Sequence, residues 1–183
     1  MKTLIKNGTL VTAESSFQAD LLIEGEHIIQ IAPSIEAADA EVVDASGQLV
    51  LPGGIDAHVH INLPMGETVS SDDYYTGSKA AAFGGTTTII DFVSQDAGSL
   101  ADNIACKRAE AEGKAAIDYS LHMNITRFDE SVAEELPDLP SLGIHSIKVF
   151  TAYNNRLRLG DGDIFKVMRI AGRSEEHTSE LQS

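Results

Sequence analysis

The sequence predicts an α/β protein in two parts, a small β-unit over residues 1–53 and then about four β/α units. Three observations carry this. Short apolar, β-branched runs broken by glycine turns fill the amino-terminal part. After Pro52-Gly53-Gly54 the rhythm changes to strands alternating with helical patterns. Thr86–Val93 (TTTIIDFV) is the mostly apolar, β-branched kind of run that parallel sheets bury on both faces.

In order, Leu4–Val11 places Asn7-Gly8 between two apolar stretches, which predicts a hairpin because both turn positions tolerate positive φ. Leu21–Ile29 repeats the arrangement about Gly25, and Glu41–Leu51 repeats it about Gly47, giving a small antiparallel unit. Strands are then expected over 55–60, 86–93, 118–126 and 146–153. Helices are expected over 71–83, 100–112 and 130–142, with a further one beginning at Ile164. Four β/α units in about 115 residues amount to half of a barrel that needs ~250. On periodicity alone an open doubly wound sheet fits equally well.

The 183 residues are 43% hydrophobic and 22% charged, so a packed core is expected. The net charge of −15 argues against nucleic acid and anionic membrane as partners. Cys106 is the single cysteine, which excludes an internal disulfide framework and agrees with a reducing, cytoplasmic setting. It is expected to be an inert small hydrophobe in its helix. The start, MKTLIKNGTLV, lacks a signal-peptide core, and no window approaches the ~18 apolar residues that span a bilayer. Residues 173–183, RSEEHTSELQS, back-translate into a short-read sequencing adapter read in frame. We take them as a non-native tail and leave them out of fold reasoning.

Two segments carry chemistry. In Asp56-Ala57-His58-Val59-His60 the two histidines fall at i and i+2, on one face of a strand, where paired imidazoles suit a divalent ion. Two polar residues on an edge strand are the plainer reading. The place of the pair, at the first strand of a β/α series, favours the metal. In Ile147-Lys148-Val149-Phe150-Thr151-Ala152-Tyr153, Lys148 stands inside an apolar strand, where an ammonium is costly. It either snorkels or serves as a neutral amine able to take up carbon dioxide as a carbamate.

The stretches VVDASGQLVLPGGIDAHVH, SSDDYYTGSKAAAFGGTTTIIDF, DYSLHMNIT and GIHSIKVFTAY resemble, in order and spacing, the amino-terminal part of the dihydropyrimidinase/hydantoinase family of the amidohydrolase superfamily. That resemblance covers nearly all of residues 1–172. It implies a β-sandwich flanking an amidohydrolase-type (β/α)₈ barrel, of which this chain holds about four units. It implies two divalent metal ions, zinc being the expected element, with His58 and His60 on one and a carboxylated Lys148 bridging both. Tyr153 is implied as a catalytic and substrate-binding residue, with Leu63, Met65 and Phe150 resembling substrate-pocket positions. His122 and His145 are expected to be structural, and His177 falls in the tail. The activity implied is hydrolysis of a small cyclic ureide to an N-carbamoyl amino acid by a homotetramer. Allantoinase- or dihydroorotase-like enzymes and a non-catalytic scaffold are the alternatives. The family's other two metal-binding histidines and its aspartate belong to later strands, so the chain as written is expected to lack activity. Its first and fourth barrel strands are expected to have unpaired edges, and the chain to self-associate.

Overall fold

The computed structural model describes residues 1–172 and the backbone of Thr178–Gln182. The reading of residues 173–177 and Ser183 as foreign, and of His177 as no ligand, lies outside the described residues. The chain divides into two compact units, Met1–Gly53 and Gly54–Ser183.

In the first unit, β1 (Lys2–Val11), β2 (Ser16–Glu24), β3 (His27–Ala32), β4 (Ala40–Asp44) and β5 (Leu49–Val50) form one sheet. β2 and β3 make the expected hairpin, with Gly25 at φ 60°. Two expectations fail. Asn7-Gly8 is no hairpin turn: β1 runs straight through it with a register shift between Ile5 and Gly8. Asn7 takes φ 63°, donates its N–H to Asp20 Oδ1 at 2.9 Å and makes a β-bulge, which the same positive-φ tolerance permits. Nor do β4 and β5 pair with each other. Both run parallel to β1, so the unit is mixed rather than antiparallel.

The second unit holds β6 (Gly54–Asp56), a hairpin of β7 (Pro64–Met65) and β8 (Thr68–Val69), α1 (Tyr74–Phe83), β9 (Thr86–Val93), α2 (Leu100–Ala111), β10 (Asp118–Ile125), α3 (Glu130–Glu135), β11 (Ser146–Phe150), α4 (Asp161–Ala171) and β12 (Thr178–Gln182). Its sheet is parallel throughout, in the order β6-β9-β10-β11-β12. α1 begins three residues later than expected because Asp73 caps it, accepting from Thr76 N–H at 2.8 Å. The helix expected over 130–142 stays α-helical to Glu135 and then tightens into a 3₁₀ turn, Leu136–Leu142, with a proline at its start and Pro140 inside it. Proline removes the donors an α-helix would need there. β11 is not the open edge expected of a fourth strand: its outer row of backbone groups pairs in parallel with β12.

Strand alternation decides what faces where. On β9, β10 and β11 the odd-numbered residues Val93, Leu121, Met123, Ile125, Ile147 and Val149 join Leu100, Ile104, Val132 and Ile164 of the helices in the main core. The even-numbered residues Phe92, His122, Asn124, Lys148 and Phe150 lie on the opposite face. Among the described residues no helix is long and apolar enough to cross a membrane.

Candidate metal-binding site

β6 ends at Asp56, so His58 and His60 stand in the loop beyond it rather than on a strand as expected. They converge nonetheless. Their ring centres are 5.2 Å apart, and both rings pack on Phe92 of β9, at 4.6 and 5.0 Å. Lys148 is 1% exposed and does not snorkel. Its Nζ lies 3.2 Å from His58 Nε2 and 3.9 Å from the centre of the Phe92 ring. Burial, with the nearby Lys148 and His58 charges adding to it, holds the His60 imidazole below its ordinary value. The neutral ring that results is the form able to ligate.

Lys148, His60, Leu63, Phe150 and Tyr153 line a cavity of about 560 Å³. Phe150 is buried, and its ring meets Tyr153 edge-on at 6.1 Å. Tyr153 is exposed and takes φ 65°, a left-handed backbone unusual for a tyrosine. Three backbone N–H groups, of Arg156, Leu157 and Arg158, hold its carbonyl. Met65 is exposed at the β7–β8 turn and is not part of the cavity wall. Cys106 is exposed on α2 rather than packed as a small hydrophobe.

Sequence reasoning missed Asp91, Lys107, Tyr74 and Asn124. Asp91 is 1% exposed, and its Oδ2 accepts from Tyr74 Oη at 2.8 Å and pairs with Lys107 Nζ at 3.1 Å. Burial, then the Asp91 charge, raises the Tyr74 hydroxyl well above its ordinary value, so it stays a donor. The signal was available: an aspartate inside TTTIIDFV is as anomalous as a lysine inside SIKVF. Asn124 lies beside Lys148 across the β10–β11 ladder, and its Oδ1 is buried without a hydrogen-bond partner among the described residues. Both ring nitrogens of His122 are engaged, one meeting Ser146 Oγ and the other the Ala57 carbonyl.

Two imidazoles and a buried amine fit one side of a divalent metal group, the amine becoming a ligand once deprotonated or carboxylated. Among the described residues no three His, Cys, Asp or Glu side chains gather as a cage of their own.

The comparisons with known proteins identify the family and the fold. The amidohydrolase family model matches residues 49–148. A D-hydantoinase of Geobacillus stearothermophilus is 46% identical over 173 residues, covering 93% of this chain and 37% of the relative. A dihydropyrimidinase of Dictyostelium discoideum is 42% identical over 169 residues, 91% of this chain and 34% of the relative. The crystal structure of a dihydropyrimidinase from Brevibacillus agri NCHU1002 matches with a TM-score of 0.94 at 46% identity, over 100% of this chain and 40% of that one. A dihydroorotase at 16% identity and TM-score 0.66, over 98% of this chain and 50% of that one, shares the fold. The parallel sheet is therefore part of a barrel rather than an open doubly wound sheet. This chain spans a little over a third of the length of the curated relatives it matches. With the family model over the histidine pair and the lysine, and the fold shared across its whole length, the chain belongs to the amidohydrolase family.

Proposed function

We propose that this chain carries the amino-terminal half of the active site of a metal-dependent cyclic amidase of the dihydropyrimidinase/hydantoinase type. One observation carries the reading: Lys148 is buried at the wall of the cavity with its amine 3.2 Å from His58, beside His60. In this reading residues 54–172 are half of the catalytic barrel, residues 1–53 belong to a separate β-domain and residues 173–183 are foreign.

His58 and His60 would hold one divalent ion, zinc being the best match to imidazole donors, and Lys148 would bridge to a second. For that the Lys148 ammonium gives up a proton. The resulting amine forms an N–C bond to carbon dioxide with release of a second proton, giving a carbamate whose single negative charge is shared by two oxygens on a long stem. When bound, such ions supply Lewis acidity toward a carbonyl and acidify a water. The rest falls to side chains. The Tyr153 hydroxyl donates to the oxygen that gains charge as the ring carbonyl is attacked. Leu63 and Phe150 give the ring an apolar wall. Met65 reaches the substrate only if its hairpin moves toward the cavity. One water is consumed: its oxygen joins the carbonyl carbon, the ring C–N bond breaks and the nitrogen takes a proton.

A cavity of about 560 Å³ suits a small cyclic ureide. The full protein is proposed to be a cytoplasmic homotetramer; the single cysteine of this chain is in keeping with a reducing compartment. The relatives' names favour hydantoin or dihydrouracil over the substrates of dihydroorotase, which shares only the fold at 16% identity.

The test is a chimera of residues 1–172 with the carboxyl-terminal remainder of the Geobacillus stearothermophilus D-hydantoinase. It should open hydantoin or dihydrouracil to the N-carbamoyl acid, and Lys148→Ala should abolish this. A folded, zinc-loaded chimera that opened neither ring would refute the proposal.

A further inference from the structure

The segment Ala57–Ile61 carries both histidines but has left the sheet: β6 ends at Asp56, and the segment is tied back by a bond from Val59 N–H to the Ile90 carbonyl at 3.2 Å. Side chains from three other elements grip its two ends. At the first end the Ala57 carbonyl lies 2.9 Å from His122 Nε2. A carbonyl can only accept, so Nε2 carries a proton and donates it, while Nδ1 meets the Ser146 hydroxyl. At the other end Ile61 N–H donates to Asp91 Oδ2 at 3.3 Å, and Lys107 Nζ donates to the Ile61 carbonyl at 2.7 Å. Both polar atoms of one backbone position are thus held by the two members of a buried ion pair.

Such a pair is a poor way to gain stability. Taking two charges out of water costs more than their attraction commonly returns, and apolar replacements of like volume often match it. Here the side chains are 2% and 12% exposed, and the Ile61 side chain is itself buried against Tyr74, Ile89 and Ala111. What the pair does that an apolar pair could not is hold the two peptide groups that flank the Ile61 Cα, next to His60.

We propose that Asp91, Lys107 and His122 are positioning residues, clamping the two ends of the Ala57–Ile61 segment so that His58 and His60 face Lys148. The effect on metal rests on the reading of His58 and His60 as ligands; the clamp itself does not.

The test uses hydrogen exchange at residues 57–61 in the 183-residue chain and titration of the chimera with zinc alone. Asp91→Leu with Lys107→Met removes both charges and the acceptor for Ile61 N–H together, so neither charge is stranded. It should speed exchange at the Ile61 amide at least about ten-fold and weaken zinc binding by about 10–100-fold, the usual cost of losing a group that orients a ligand. His122→Leu should do likewise at the Ala57 end. His122→Gln, whose amide N–H can replace Nε2, should restore most of both, which general destabilisation would not allow. Exchange over β10 should stay unchanged in each. If the double variant does not fold, the Leu and Gln variants at position 122 carry the test. Unchanged exchange at 57–61 in folded variants overturns the clamp. Faster exchange with unchanged zinc affinity overturns the positioning role. If the parent chimera binds no zinc, the ligand reading falls, while the exchange data still decide the clamp.

Discussion

Asp20 is buried in the first sheet and accepts from the backbone N–H groups of Asn7, at 2.9 Å, and Ile35, at 3.0 Å. Those two bonds, in that order, hold its carboxyl below the usual carboxylate value. A folded-state pKa below the unfolded one adds stability that is present above the unfolded value of about 3.9 and lost as pH falls toward the depressed one. Asp20→Asn should therefore be less stable than the parent at pH 7, with the gap in unfolding midpoint closing below about pH 4. A gap that stayed constant from pH 7 to pH 3 would contradict this. At Tyr153 the expectation is catalytic. In the chimera Tyr153→Phe should lower kcat by about 10²–10³-fold, the usual effect of one lost oxyanion donor, with KM little changed. A kcat within a factor of two would leave Tyr153 as packing. His58, His60 and Lys148 drew notice because polar residues stood where an apolar strand or its end was expected, whereas Tyr153 entered only through the family resemblance. Asp91 carried the same signal and was missed. Asn124 and Lys107 carried none, because a polar residue on an alternating strand or a lysine on a helix is ordinary until its neighbours are known.

The β1 bulge shows how an element can keep a local signal and change its meaning. Asn-Gly favours positive φ, which a two-residue hairpin and a bulge can both use. The choice went to the bulge because β1 gains partners on both sides, β2 on one and β4 and β5 on the other. Those pairings are tertiary, so no window about Asn7-Gly8 could reveal them. The site also demands glycine at position 8: a Cβ there would lie 2.6 Å from Val50 Cγ2 and 3.2 Å from the Ala45 Cβ. Gly8→Val should destabilise the first unit by about 1–3 kcal/mol, the range for overpacking, and Gly8→Val with Val50→Ala should recover part of it. Urea unfolding of both variants measures this, and an equal loss in the two would refute the close approach. In the second unit the expected elements are present because glycines, caps and prolines mark their ends. The loop holding the two histidines was misread as strand because its order comes from His122, Asp91 and Lys107 rather than from a ladder.

Across the molecule, apolar surface is left uncovered. β3 is an edge strand whose Ile28, Ile29 and Ile31 are 60%, 48% and 49% exposed. An exposed apolar edge invites pairing with another chain. Sedimentation should show self-association at micromolar concentration, reduced by Ile28→Lys with Ile31→Lys; a monodisperse parent monomer would contradict this. The central claim, that Lys148, His58 and His60 are one half of a two-ion site, is tested most directly by metal content and ¹³C NMR on the chimera supplied with ¹³C-bicarbonate. The account predicts two zinc ions per chain and a carbamate carbon signal, with the signal and most of the metal lost in Lys148→Ala. Equal metal content in parent and variant, with no carbamate signal in either, would contradict it.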